Sequence, residues 1–342
     1  MAISVIVSNF NGARFLPRLL DTLKAQRGVT LEIIVVDRDS SDDSAAILSG
    51  HGDVTVVSEP PESGLASGYA AGVRRARHDH LFFCNEDMWF DPDCLARLES
   101  HIDLARKVAC VDPWQWSYDG KSELPRGVQV RRRWNRGSPH PFHELSSNRE
   151  LPAGSITAMA CAGAMMVHRF AYDDAGGWDR SFFLDHEDTD LAIRLWQRGW
   201  WSVVEPGAKV YHAVGGSNTN ILPGTNVQVG EKRYVLSISN QIVLAWKLFS
   251  PRFALLPVLP WLEKLIKNLL MGRWRMAGWD VLAMKSAISR LPAAIEFRRR
   301  HRIAMRSRPG EGFFAEPKFQ FGAVARPRPV ASVDQADSYR CD

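Results

Sequence analysis

The chain has no two cysteines at C-x-x-C spacing. Its five cysteines, Cys84, Cys94, Cys110, Cys161 and Cys341, are odd in number and widely scattered. That argues against a zinc knuckle and a disulfide framework and points to a reducing compartment. An unbroken apolar run of about 20 residues, the length a membrane-crossing helix needs, is also missing. The longest greasy stretch, Ile242 to Leu262, is interrupted by Lys247, Pro251, Arg252, Pro257 and Pro260. The start enters the strand-like Ile3-Ser4-Val5-Ile6-Val7 with no basic leader, so secretion is not expected. Neither a P-loop nor a G-x-G-x-x-G fingerprint is present. Gly64, Gly68 and Gly72 instead recur every four residues. That spacing lets a helix backbone approach a neighbour or a phosphate, with packing the default.

A large excess of one charge is lacking too: 43 basic residues stand against 38 acids, a net charge of +5. The excess is unevenly placed. Arg131, Arg132, Arg133 and Arg136 form one basic cluster, and Arg298, Arg299, Arg300, Arg302, Arg306 and Arg308 form another. A basic C-terminal third favours an anionic surface such as membrane lipid over nucleic acid. The expected location is cytoplasmic, with peripheral contact at the inner face of the cell membrane as its extension.

What the chain does have is acid at two sharply defined places. Asp185, Glu187, Asp188 and Asp190 put four acids into six positions. Such crowding is tolerated only where solvent, cations or substrate offset the repulsion. A second acidic cluster, Asn85-Glu86-Asp87, ends the apolar run Leu81-Phe82-Phe83-Cys84. Around these clusters, residues 1–110 alternate strand and helix patterns. Strands are expected at Ile3–Val7, Leu31–Val36, Val54–Val57 and Leu81–Cys84. Helical spacing connects Phe15, Leu16, Leu19, Leu20 and Leu23, and a Gly/Ala-rich helix is expected from about Ser67 to Arg77. This is an α/β pattern: a Rossmann-like, mostly parallel central sheet flanked by helices, with ligands at the carboxyl ends of its strands.

Residues 112–153 lose the rhythm and read as an extended insert. Asp190–Gln197 reads as a helix with an Asp190–Arg194 pair at i,i+4. Two short strands are expected at Trp201–Val204 and Lys209–His212, on either side of a turn at Glu205-Pro206-Gly207. Beyond about 228 the pattern is helical and basic, and beyond about 309 it is rich in Pro and Gly and expected to be poorly ordered.

Each chemical candidate has an ordinary alternative. Asp37, closing the second strand, can accept a hydrogen bond from a base or ribose, or it can shape a turn. Phe10 can stack on a base or fill the core. Asp87 suits Mg²⁺ or Mn²⁺, which take one carboxylate beside substrate phosphates, and a solvated acidic loop would look the same. Glu187, Asp188 and Asp190 open a helix, whose dipole favours anions; that explains one or two acids more readily than all of them. A carboxylate there could also serve as general base for an incoming hydroxyl. His212 is a metal ligand or a structural histidine.

Taken in order, the segments Val5-Ile6-Val7-Ser8-Asn9-Phe10-Asn11-Gly12, Ile33-Ile34-Val35-Val36-Asp37, Gly64-Leu65-Ala66-Ser67-Gly68 and Phe83-Cys84-Asn85-Glu86-Asp87 resemble the family 2 glycosyltransferases. Gly176-Gly177-Trp178-Asp179-Arg180-Ser181-Phe182-Phe183, then Glu187-Asp188-Thr189-Asp190-Leu191, Arg194, Gly199 and Val210-Tyr211-His212, extend the resemblance. The nearest variety is the bacterial rhamnosyltransferase-like group of cell-surface polysaccharide synthesis.

The resemblance implies a GT-A fold over about residues 1–227, with a nucleotide-binding part at about 1–110 and an acceptor-binding part at about 111–227. A basic helical subdomain (228–308) and a flexible tail (309–342) would follow. It implies an inverting, metal-dependent hexosyl- or deoxyhexosyltransferase. The donor would be a dTDP-, UDP- or GDP-sugar, and the acceptor a glycan or a glycan on a polyprenyl diphosphate. Peripheral membrane contact would be possible and nucleic acid would not be a partner. Carried over position by position, Asp188 would be the catalytic base and Glu187 would place the acceptor. Asp87, the second acid of the D-x-D motif, would hold a divalent cation (Mg²⁺ or Mn²⁺) with His212. Asn9, Phe10, Asn11, Asp37, Arg38, Gly64, Gly68 and Asn85 would line the nucleotide-sugar site.

Three positions depart from the pattern. Asn85 replaces the first D-x-D acid and weakens the metal site. Arg38 stands where Asp or Asn is frequent, which would alter the base contact or add a phosphate contact. Tyr69-Ala70 replaces a polar pair and leaves donor contacts there open. The alternatives are a nucleotidyltransferase, which should carry a basic Gly-rich loop after the first strand, and a non-catalytic nucleotide-sugar- or glycan-binding module.

Overall fold

The computed structural model describes residues 1–60, 63–124, 153–157, 160–161, 163–214, 230–255, 257–302 and 308, together with the backbone of 126–130 and 142–145. The insert's basic cluster at 131–136, Arg306, Cys341 and the tail beyond 309 lie outside the described residues.

Four strands, β1 (Ala2–Asn9), β2 (Thr30–Asp37), β3 (Val54–Ser58) and β4 (His80–Asn85), alternate with helices α1 (Leu16–Lys24), α2 (Ser44–Ser49) and α3 (Gly64–Val73). The strands lie side by side in the order β3-β2-β1-β4, all parallel. The near-continuous apolar sequences of β1, β2 and β4 follow from burial on both faces, whereas the edge strand β3 is largely exposed. Leu16, Leu19, Leu20 and Leu23 of α1 pack on one face of the sheet, while Leu65, Ala66 and Tyr69 of α3 pack on the other. Register sets the site edge: Ser8 pairs with both Val36 and Asn85, and Asn9 lies opposite Asp37. The carboxyl ends of β1, β2 and β4 therefore finish at one level.

Past β4 the sheet becomes mixed. The chain continues through β5 (Met88–Phe90), α4 (Cys94–Glu99), β6 (Val108–Ser117), β7 (Arg126–Val130), β8 (Phe142–Leu145), β9 (Ser155–Thr157), β10 (Ala164–His168), α5 (Arg169–Asp174), α6 (Glu187–Gln197) and β11 (Trp201–His212). β10 runs antiparallel between β4 and β6, and β11 runs parallel to β6 and antiparallel to β5 and β9.

Two local expectations need correction. The supposed irregular stretch begins as strand, because β11 pairs with β6 through Pro113 and Trp116 as far as Ser117. The expected turn at Glu205-Pro206-Gly207 is only a register shift within one strand, bridged where Gly207 N–H donates to Glu205 Oε1 at 2.7 Å.

The C-terminal part is helical: α7 (Glu231–Leu248), α8 (Pro251–Ala254), α9 (Val258–Leu270), α10 (Trp274–Ser289) and α11 (Leu291–Arg300). A third core joins it to α6, with Phe182, Ile193 and Trp196 against Ile242, Leu248 and Ala283. Among the described residues no helix is long and apolar enough to cross a membrane.

Candidate functional site

The rim of the strand edge is knit by the asparagines of the β1–α1 loop. Asn9 Nδ2 donates to Asp37 Oδ1 at 2.6 Å, and the Ser40 hydroxyl donates to the same oxygen at 2.6 Å. Ser40 Oγ in turn accepts from Asn11 N–H at 2.9 Å, and Asn11 Oδ1 accepts from Ser41 N–H at 2.8 Å. Asp37 thus shapes a turn, as its ordinary reading holds, while its carboxylate stays at the strand edge. Phe10 is half-buried rather than part of the core, and the Arg38 guanidinium lies 5.3 Å from its ring centre.

The Arg38 backbone N–H donates to Asn9 O at 3.0 Å, but its guanidinium makes no hydrogen bond or ion pair among the described residues, and its buried Nε has no partner. Burial lowers its pKa, and the charges of Glu86 and Asp37 act the other way. A half-buried cation without a bonded partner beside an aromatic face is a ready receptor for an anion.

The strand does not continue through the acidic turn, so Asn85 and Asp87 face different neighbours. Asn85 Oδ1 accepts from the Tyr69 hydroxyl at 2.9 Å. The Tyr69 ring stacks on Trp178 with centroids 5.4 Å apart and meets Phe83 edge-on. Two departures from the family pattern therefore answer one another: a tyrosine at 69 serves the amide at 85. Asp87 turns to the end of β11, where its Oδ1 lies 3.1 Å from His212 Nε2.

His212 Nδ1 lies 3.1 Å from Gln115 Oε1, and Nε2 has no hydrogen-bond partner among the described residues. With Oε1 accepting from Nδ1, Nε2 is the nitrogen turned to the Asp87 carboxylate, and at 3.1 Å a proton or a cation fits between the two atoms. The two residues fit a divalent ion of the kind that takes its remaining ligands from substrate phosphates and water. No group of three or more His, Cys, Asp or Glu that could hold a metal occurs among the described residues. Gly163 closes the gap, with a Cβ position 3.5 Å from His212 Cε1 and 3.6 Å from Asn85 Nδ2.

The four crowded acids separate into different roles. Asp190 is fully buried and structural: Arg194 and Lys247 both bond to it, at 2.5 Å each. Asp185 lies 3.5 Å from Arg233. Asp188 is half-buried in the first turn of α6, where its Oδ1 accepts from Thr189 N–H at 2.6 Å. Glu187 is buried, and its Oε2 has no hydrogen-bond partner among the described residues. Burial, then the charge of Asp188, pushes the Glu187 carboxyl well above the usual range, and Arg233 pulls the other way.

The acid loop is held against the strand edge through α3. Leu65 N–H donates to Phe183 O at 2.8 Å, and a Cβ on Gly64 would lie 2.5 Å from that oxygen. Gly64 also has φ +74°, a left-handed geometry that favours glycine. Tyr69 joins the two acid clusters: burial raises its phenol well above the ordinary value, and the neighbouring Cys84, Glu86 and Glu187 add to it. Sequence reasoning met Tyr69 only as a departure from the family pattern and missed Gln115 and Gly163, because each acts through a contact distant in sequence. Beside the acid loop, Lys232 Nζ lies 3.9 Å from the Phe183 ring centre. Lys232 also lines an open groove of about 680 Å³ between α7 and α10, with Val235, Leu282 and Lys285.

Residues 4–175 match the family described as Glycosyl transferase family 2. The chain is 29% identical over 229 residues to the succinoglycan biosynthesis protein ExoO of Rhizobium meliloti (strain 1021), covering 56% of this chain and 66% of that protein. It is 38% identical over 63 residues to the N-acetylglucosaminyl-diphospho-decaprenol L-rhamnosyltransferase of Mycobacterium tuberculosis (strain CDC 1551), covering 18% of this chain and 19% of that one. The match thus spans just under two thirds of the first relative and about a fifth of the second. Among solved structures, GalNAc-T7 with UDP, GalNAc and Mn²⁺ superposes with a TM-score of 0.54 at 15% identity, over 73% of this chain and 48% of that one. At such identity the likeness shows the fold, which is GT-A. A match across half the chain, containing the strand edge and the Asn85-Glu86-Asp87 turn, settles the family: the chain belongs to glycosyl transferase family 2.

Proposed function

We propose that the protein is an inverting, metal-dependent glycosyltransferase. It would move a hexosyl or deoxyhexosyl group from a dTDP-, UDP- or GDP-sugar to a hydroxyl of a glycan, free or carried on a polyprenyl diphosphate, in cell-surface polysaccharide synthesis. The observation that carries this reading is that Asp87 meets His212 at the end of β11, while Tyr69, bonded to the nearby Asn85, also feels the charge of Glu187. The decaprenyl-diphosphate acceptor in the mycobacterial relative's name and the polysaccharide in the rhizobial one support the acceptor class. Residues 1–110 would bind the nucleotide, 111–227 the acceptor, and 228–308 would form the helical subdomain, at the inner face of the cell membrane.

Asp37 and Phe10 would take the base, with Asn9, Asn11, Gly64 and Gly68 shaping the pocket around the nucleotide. Asn85, oriented by Tyr69, would meet the sugar. Arg38 would contact the diphosphate through its unbonded guanidinium. Asp87 and His212 would hold Mg²⁺ or Mn²⁺, which supplies positive charge to the departing diphosphate. Asp188 would take the proton of the attacking hydroxyl while the anomeric carbon exchanges one oxygen for another with inversion. Glu187, favoured in its protonated form by burial, would donate a hydrogen bond that fixes the acceptor. The groove by Lys232 would give that acceptor its route to the acid loop.

The test is a Mn²⁺ titration of nucleotide-sugar hydrolysis across the three donor classes. Asp87→Ala is expected to raise the Mn²⁺ needed for half-maximal activity on the order of tenfold to a hundredfold, and His212→Gln in the same direction. An unchanged titration in both variants would remove the pair from the site. Arg38→Gln is expected to weaken nucleoside diphosphate binding about tenfold, read by calorimetry, consistent with loss of a charge-assisted contact. Equal affinity would return Arg38 to a packing role.

A further inference from the structure

We propose that α9 is an in-plane membrane anchor whose outer face takes anionic phospholipid. The helix is fixed by its inner face. There Asn268 Nδ2 donates to Asp280 Oδ2 at 2.7 Å, Trp261 Nε1 donates to Asp280 O at 2.8 Å, and Tyr234 donates from α7 to Asp280 Oδ1 at 2.6 Å. The buried Asn268 therefore decides which side looks outward. On that opposite side Leu259, Leu262, Ile266, Leu269 and Leu270 recur at three- and four-residue steps, with Trp274 just beyond the helix end. All six are exposed, Leu270 at 83% and Trp274 at 71%. A continuous stripe of this kind marks an interaction face rather than scattered surface apolarity.

Charge selects the occupant. The exposed Arg252, Lys267, Arg273 and Arg275 lie along and beyond the stripe, and residues 251–302 carry eleven basic residues against three acids. A second copy laid on this face would bring two such basic surfaces together, whereas anionic headgroups offset the charge. The helix is 13 residues long, so it can lie in the headgroup layer but not cross the bilayer. The indoles of the other tryptophans of this region have hydrogen-bond partners: Trp261 donates to Asp280 O and Trp279 donates to Glu231. Trp274 alone among them is left for the interface, the position indole rings favour.

This deepens the lipid-linked acceptor reading by naming the surface that would hold the enzyme where such an acceptor resides. It rests on that reading only for its purpose. The experiment is co-sedimentation of the full chain with vesicles of phosphatidylcholine alone or mixed with phosphatidylglycerol at low salt, with sedimentation velocity in parallel. The wild type is expected to bind the mixed vesicles and to be released by high salt. Leu262→Gln/Ile266→Gln/Leu270→Gln is expected to lose about tenfold or more in partitioning, with nucleotide-sugar hydrolysis unchanged in the absence of vesicles. Lys267→Gln/Arg273→Gln/Arg275→Gln should lose most of the preference for the anionic lipid. The proposal is overturned if the wild type ignores anionic vesicles, if it binds neutral ones equally, or if the apolar variant binds like wild type. It is also overturned if the stripe instead closes a dimer that the apolar variant dissociates. Vesicle binding by a protein that hydrolyses no nucleotide sugar would strike the transferase reading alone.

Discussion

Asp188→Asn is expected to abolish sugar transfer, with a fall of about 10²–10⁴ from loss of general-base catalysis, while nucleoside diphosphate affinity stays within about twofold. Glu187 and Asp188 are adjacent, yet their surroundings set them apart. Glu187 is buried, and its carboxyl is pushed up first by that burial and then by Asp188's charge. A group held toward its neutral form is a poor proton acceptor and a good hydrogen-bond donor. Asp188 is half-buried and bonded to Thr189 N–H at the positive end of α6. The same change at the neighbour, Glu187→Gln, keeps a neutral donor in place, so its effect should fall mainly on the acceptor's KM. Single-turnover transfer, with donor binding measured separately by calorimetry, distinguishes the two. A live Asp188→Asn beside a dead Glu187→Gln would exchange the roles.

The difference between what the sequence discloses and what it conceals follows the length of the contacts involved. The parallel β3-β2-β1-β4 half was legible because each strand is a local apolar run with a local turn after it. The Asp190–Arg194 pair was legible for the same reason, being one helical turn apart. Tyr69 meeting Asn85, and Gln115 meeting His212, depend on pairings 16 and 97 residues apart, and no periodicity encodes them. β6 shows the limit most clearly. Pro113, Trp114 and Trp116 read as irregular by propensity, and only the partner strand β11, almost a hundred residues later, makes them strand. Acid crowding marked the loop but did not disclose how differently its four acids are surrounded. Lys247, which accounts for Asp190, looked in the sequence like a mere interruption of a greasy segment.

That lysine carries the largest expected effect on stability. Lys247 of α7 is 2% exposed, and its ammonium lies 2.7 Å from Asp179 and 2.5 Å from Asp190. Lys247→Met leaves Asp179 without that cation and Asp190 with Arg194 alone, which should cost about 3–5 kcal/mol by the usual result of breaking one side of a buried pair. Urea unfolding at neutral pH reads the loss. Acid should shrink it. Burial pushes the Asp179 carboxyl up, but Lys247's charge and hydrogen bond, with the Ser181 N–H, outweigh that and hold it well below the usual range. A carboxyl depressed in the folded state contributes stability above its unfolded pKa of about 3.9, lost as pH falls through the folded value. The gap between wild type and variant should therefore be widest at neutral pH and narrow progressively below about pH 4. A gap that stayed constant down to about pH 2 would show that the Asp179 ion pair does not carry the effect of Lys247. Asp190 also shares a helical turn with Glu187 and Asp188, so transfer by the folded variant should fall as well. Restoring part of both losses with Asp179→Asn in the Lys247→Met background would tie the turn that carries Glu187 and Asp188 to this one buried cation.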